Sequence, residues 1–345
     1  MKSLLIWGTG KTAEKTLRNF PHPHFDVVAF VDNNPQRHGA YRGRPVLSPK
    51  IAVHLEYDEV VICSSFFSEI EVQAIELGFD KSKIRTTGYL NFLTQASKLS
   101  PEDLDTLSSV PWWYHTFEVL PGVITPGVCP YKSELLAHPL LQNLSGKRAL
   151  DIGAWDGPYT LEMARRGASV TAFDIQPPNH SGFDAMRRVN KLNVAHICDS
   201  VYNLSKERHG SFDLVTFFGV YYHLRDPLSA FSAINSVLPQ GGLILVEGAV
   251  LEGAPLIDSF WKEHADQIQE FKKFPLATYV KGEFQGEWSN WWVPTLTCLA
   301  HWIESTGFEI LEHSLLASDT RGYSVARKVS EVPSEHIVLG TQANH

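Results

Sequence analysis

Two stretches of this chain follow one grammar, and together they constrain the fold more than any other feature. Near the start, "LLIWGTGKTAEKTL" runs from an apolar strand through a glycine turn into a helix. In the middle, "ALDIGAWDGPYTLEMARRGASVTAFDI" does the same and continues into a second strand ending on an acid. In each case the acid closes the next strand: Asp32 lies 24 residues after Gly8, and Asp174 lies 23 residues after Asp151. A strand, a turn that needs glycine, a helix and a strand ending in a carboxylate form the repeating unit of a parallel sheet with a ligand at its carboxyl edge. Two such units in 345 residues predict an α/β protein of two doubly wound domains.

Each unit continues as expected. In the first half, strands are read at residues 4–7, 25–34 and 58–65, with a helix closing near Gly78. That domain spans residues 1–95. Residues 96–146 form a linker and cap, in which the polar stretch 94–110 reads as a linker or a short helix. In the second half, strands fall at 147–152, 169–174, 193–199, 212–220 and 241–250. "FEILEHSLL" and "RGYSVARKV" read as an antiparallel pair, and the aromatic segment 251–290 as an insertion. The second domain spans 147–330, and 331–345 is a tail.

The two turns differ in chemistry. "GTGKTA" keeps the spacing of a dinucleotide fingerprint, with Gly8, Gly10 and Asp32 as its nucleotide-binding candidates. "DIGAWDG" brings two acids, Asp151 and Asp156, beside Gly153 and Gly157. Carboxylates there repel a pyrophosphate and suit a ligand with an amino or sulfonium cation. Asp174 is placed for ribose hydroxyls and Asp199, after the third strand, for an adenine amino group. These features favour S-adenosylmethionine over NAD.

Charge sharpens the partner question. The chain carries a formal −8. The first 95 residues hold 11 basic and 10 acidic side chains, and the remainder 19 and 28. A nucleic-acid site draws most of its affinity from phosphate contacts, so the larger half starts without that footprint. Four scattered cysteines with no CxxC spacing predict a reducing, cytoplasmic setting. No metal site is read, "PHPH" at 21–24 included. No membrane span or signal peptide is expected.

Residues 147–328 resemble the class I methyltransferases, on the glycine motif, Asp174, Asp199 and "LPQGGLILVEG". The resemblance implies a seven-stranded sheet with its last strand antiparallel, and a cofactor site that also uses Gly219. A narrower likeness rests on "WWYHTFEVLPGVITPG" (112–127), "FFGVYYHLRDPLSAF" (217–231) and "NWWVPTLTCLAHWIESTGF" (290–308). These resemble the tRNA wobble-uridine (carboxy)methyltransferases. In that branch a lysine pairs with an extra carboxylate on the cofactor. Tyr114 stands at its place here, so plain S-adenosylmethionine is expected. Tyr222 matches that branch's tyrosine. Residues 2–90 are similar to the small nucleotide-binding domains of sugar-modifying enzymes. The first domain is therefore either a nucleotide or nucleotide-sugar site or a scaffold for docking or dimerisation.

Methyl transfer to oxygen needs an in-line nucleophile and a base. His223 and Glu247, at the carboxyl edge, are the base candidates, with Tyr222 beside them. Arg225 is read as an anchor for an anionic acceptor. Tyr114 and Trp292, with Trp112, Trp113 and Trp291, are read as pocket wall. The expected activity is methyl transfer to a small hydroxylated acceptor, a sugar or a nucleotide-linked sugar. The rivals are a tRNA wobble-uridine methyltransferase, an NAD-dependent oxidoreductase working through the first domain, and a non-catalytic sensor.

Overall fold

The computed structural model describes residues 2–17, 25–64, 66–253, 270, 273–280, 289–316 and 321–332. The 21–24 stretch, most of the 251–290 insertion and nearly all of the tail lie outside them. The chain divides into two compact units, Met1–Tyr131 with Pro178–Leu192, and Lys132–Pro177 with Asn193–His345.

The first unit carries a six-stranded sheet: β1 (Lys2–Trp7), β2 (Phe25–Val31), β3 (Gly39–Tyr41), β4 (Arg44–Leu47), β5 (Glu59–Ile62) and β6 (Ile84–Thr86), in the order β3-β4-β2-β1-β5-β6. All neighbours are parallel except β3 and β4, which form a hairpin. That hairpin was not read from the sequence, because its strands are short and mostly exposed. β1 is buried from Leu4 to Trp7, as a central strand covered on both faces must be. One face packs Leu4 and Ile6 against Phe30 and Leu90; the other packs Leu5 and Trp7 against Val31 and Phe79.

This unit reaches further than residue 95. The polar stretch contains a helix, Pro101–Ser108, capped by Ser100, with Leu107 buried. The unit also takes in the helix Phe183–Val189, which lies within the 147–330 span expected for the second domain. The reason is local packing. Gly182 leaves room for the Trp113 ring, and Asn190 Nδ2 donates to the Val119 carbonyl at 2.9 Å.

The second unit carries seven strands: β7 (Arg148–Ile152), β8 (Ser169–Asp174), β9 (Ala195–Cys198), β10 (Leu214–Phe218), β11 (Leu243–Gly248), β12 (Phe308–Leu315) and β13 (Gly322–Lys328). Their order is β9-β8-β7-β10-β11-β13-β12. The first five are parallel; β13 runs antiparallel between β11 and β12. The expected antiparallel pair is therefore present and sits inside the sheet edge. Phe217, Phe231, Ile234 and Val246 are among the residues of the core beneath it. Among the described residues, no helix is long and apolar enough to cross a membrane, and no cluster of ligating side chains suits a metal ion.

Candidate functional site

The carboxyl ends of β7, β8 and β10 and the turns after them gather most of the expected site residues. The first turn runs from Gly153 to Gly157, at φ +78° and +81°. Between them Trp155 also takes a left-handed φ of +45°, which a bulky side chain rarely adopts. Its backbone N–H donates to Asp174 Oδ2 at 3.0 Å, and the Gln176 N–H donates to Asp174 Oδ1 at 2.9 Å. Among the described residues, Asp174 is thus oriented by two main-chain N–H groups. Each of its oxygens keeps a further lone pair, the arrangement that a ribose diol needs. Gly219, at φ +72°, follows β10, and a Cβ there meets only the Tyr222 hydroxyl at 3.6 Å. An oriented carboxylate opposite an open glycine turn fits the expected cofactor.

Two of the expected acids do other work. Asp151, 2% exposed, accepts from Thr160 Oγ1 at 2.6 Å and Thr216 Oγ1 at 2.7 Å. Burial raises its pKa against those hydrogen bonds. Its charge is engaged within the sheet and is not displayed to a cation; it ties β7 to β10 and to the helix Pro158–Arg165. Asp199 accepts from Ser200 N and Asn203 Nδ2, both at 2.7 Å, and from Arg208 Nη2 at 2.9 Å. The Asn203 and Ser200 bonds lower its pKa. With three donors in place, its assignment to an adenine amino group loses support. Asp156 is fully buried in the turn.

Glu247 is built into a buried ion-pair cluster. It is 4% exposed and ion-paired to Lys132 Nζ at 3.1 Å and to Arg321, which grips both its oxygens. With both oxygens engaged by cations, its assignment as a base loses support. Arg321 Nη2 also donates to the Tyr222 hydroxyl at 3.0 Å, and burial raises the pKa of that phenol. Lys132 and Arg321 were missed in the sequence. They lie 115 and 74 residues from Glu247 in the chain, and Arg321 meets it because β13 folds in beside β11.

His223 lies in the turn after β10, with its Nδ1 2.8 Å from Ser289 Oγ. The Arg225 guanidinium stacks on the Trp291 ring at 4.3 Å. Trp292 Nε1 donates to the Arg225 carbonyl at 2.9 Å, so Trp292 holds the loop that carries Arg225. Tyr114 belongs to the first unit and is 38% exposed, beside Trp112 and His115. Trp113 is 2% exposed, packed on Phe92 and Phe117; it is core, not pocket wall.

In the first unit, Gly8 has φ +117°, and a Cβ there falls 2.6 Å from the Cys63 carbonyl oxygen. This glycine is required by strand packing, whatever binds. Asp32 accepts from the Thr9 N–H and Thr9 Oγ1 on one oxygen and from the Asn34 N–H on the other. Gly10 has only Arg37 near its Cβ position, at 3.6 Å.

A family model described as a methyltransferase domain matches residues 129–313, and a C2185-like N-terminal model matches residues 1–85. A relative from Syntrophotalea carbinolica named tRNA U34 carboxymethyltransferase is 28% identical over 61% of this chain and 62% of its own length. A ubiquinone biosynthesis O-methyltransferase of Xanthomonas campestris pv. campestris is 36% identical over 30% of this chain and 43% of its own. The chain thus spans less than two thirds of either relative. A solved S-adenosylmethionine-dependent methyltransferase from Mesorhizobium loti overlays 57% of this chain and 96% of its own, at 16% identity and a TM-score of 0.43. With a match over more than half its length, the chain belongs to the methyltransferase domain family.

Proposed function

We propose that the second unit transfers a methyl group to a hydroxyl of a small acceptor, a sugar or a nucleotide-linked sugar. The observation that carries this reading is the His223–Ser289 contact of 2.8 Å. A hydroxyl nucleophile must lose its proton as it attacks. A ring anchored through Nδ1 by a serine is held in one orientation, as a general base needs to be. S-adenosylmethionine supplies a methyl on a sulfonium; Asp174 holds the ribose, and His223 takes the proton. The acidic balance beyond residue 95, 19 basic against 28 acidic side chains, supports a small acceptor over a polyanion.

A second reading, carboxymethyl transfer to a tRNA wobble uridine, is favoured by the name of the Syntrophotalea relative. It also draws on the buried cluster beside Tyr222, where Lys132 and Arg321 against Glu247 leave one net positive charge. Tyr114, standing where that branch has its lysine, counts against it.

The deciding experiment offers hydroxylated sugars, nucleotide sugars and unmodified tRNA to the full-length protein, with plain or carboxylated cofactor. Turnover of a hydroxylated small molecule that falls in His223→Ala is expected. Turnover of tRNA alone overturns the proposal in favour of the second reading.

A further inference from the structure

The first unit contains a cavity of about 460 Å³ at the carboxyl end of its sheet, against the turn 8–12, the Asp32 loop, Arg37 and Ser64. Its hydrogen-bonding inventory is lopsided. The acceptors are engaged from within. Asp32 takes three donors, from Thr9 and Asn34. Asn34 Oδ1 accepts the Gln36 N–H at 3.0 Å, the Asn33 amide exchanges bonds with Gln73, and Ser64 Oγ accepts the Phe66 N–H at 3.1 Å.

The donors are in surplus. Arg37 uses one N–H, on Thr9 Oγ1 at 3.1 Å, and lies 3.9 Å from Asp32. Lys11 and the Thr12 hydroxyl, both on the lining, bond to none of the described side chains. Trp7 also lines the cavity; it is 1% exposed, and its indole N–H has no hydrogen-bond partner among the described residues. The side-chain charges sum to one net positive, from Lys11 and Arg37 against Asp32.

A site built to grip sugar hydroxyls through its strand-end acid keeps that acid's lone pairs open. This one spends three of about four on its own turn and presents charged donors instead. The geometry points to a phosphoryl-binding site: Arg37 and Lys11 hold the phosphate or diphosphate of a phosphorylated small molecule, and Asp32 is a positioning residue that fixes Thr9 and, through it, Arg37. Guanidinium and ammonium groups pair with phosphate oxygens by short, charge-assisted hydrogen bonds. The proposal stands independently of the acceptor of the methyl group.

The test uses the full-length protein and pyrophosphate as the probe, with adenosine and uridine as phosphate-free controls, in calorimetry and thermal-shift assays. Pyrophosphate is expected to bind and raise the melting temperature, and the nucleosides are not. Arg37→Gln is expected to weaken pyrophosphate about tenfold or more, the scale of a lost charge-assisted bond, and Lys11→Gln to act in the same direction. Asp32→Asn keeps an acceptor for Thr9 and removes a negative charge, so it is expected to bind pyrophosphate at least as tightly as the wild type. Unchanged S-adenosylmethionine affinity in all three variants separates this site from the methyltransferase site and shows that the chain has folded. Failure of the wild type to bind pyrophosphate, or equal affinity in Arg37→Gln, overturns the assignment. So does nucleoside binding that Asp32→Asn abolishes, since that makes Asp32 the sugar acceptor.

Discussion

The two glycine turns are alike in sequence grammar and unlike in what their acids are free to do. Asp32 and Asp174 each close the strand after a glycine turn, and each accepts the N–H two residues on, from Asn34 and Gln176 at 2.9 Å. They diverge at the second oxygen. Asp174 receives one backbone N–H there, from Trp155. Asp32 receives a backbone N–H and a hydroxyl from Thr9, whose oxygen in turn binds Arg37. One threonine gives Asp32 a second donor on that oxygen and makes it a brace for Arg37. Spacing alone therefore does not identify a ribose site; the residue between the glycines matters as much as the acid.

The contrast is broken or sharpened by five substitutions. The largest effect is expected from His223→Ala. Loss of a general base lowers turnover by about 10²–10⁴-fold, while calorimetry is expected to return unchanged S-adenosylmethionine affinity. A variant with wild-type turnover removes His223 from the chemistry.

Gly8→Ala comes next. Its left-handed backbone and the Cys63 carbonyl at 2.6 Å from a Cβ leave no room, and strain plus overpacking is worth about 3 kcal/mol. A lowered melting temperature with cofactor binding retained is expected. A wild-type melt contradicts the close approach of β1 and β5. The same clash makes substitution at Gly8 a poor probe of ligand binding.

Asp174→Ala is expected to weaken S-adenosylmethionine by about 1.5–3 kcal/mol, the range for hydrogen bonds to a charged group. Asp32→Ala is expected to leave that affinity alone. If calorimetry gives the two variants equal losses, the distinction between the turns fails. The smallest effect is expected from Tyr114→Lys. If the missing lysine decides the cofactor's form, this variant gains affinity for the carboxylated cofactor in competition binding and changes little toward the plain one. A wild-type protein that already prefers the carboxylated form reverses the inference drawn from Tyr114.

The strand positions, the antiparallel pair and both turns were legible because burial periodicity and glycine need only local sequence. The place of Asp174 at a strand end was legible for the same reason, since its partners lie on its own turn and the neighbouring one. Asp151, Asp199 and Glu247 were misjudged because their partners come from elsewhere: Thr216 from β10, Arg208 from a following helix, Lys132 and Arg321 from far along the chain. A strand-end carboxylate shows its position in the sequence, but whether its lone pairs are occupied depends on the neighbouring strands. Ser289 carried no signal at all, being one serine in an aromatic stretch.

The helix Phe183–Val189 and its flanks, with Gly182 accommodating Trp113 and Asn190 tied to Val119, belong to the first unit although they follow β7 and β8 in the chain. This has a consequence for synthesis. Domains emerging from the ribosome generally fold as units, the amino-terminal one first. Here the amino-terminal unit lacks one of its own pieces until residue 190 has left the exit tunnel, and by then two strands of the second sheet have been made. A nascent chain stalled before that point exposes the Trp113 face, so a chaperone that reads apolar surface has its longest window of access there.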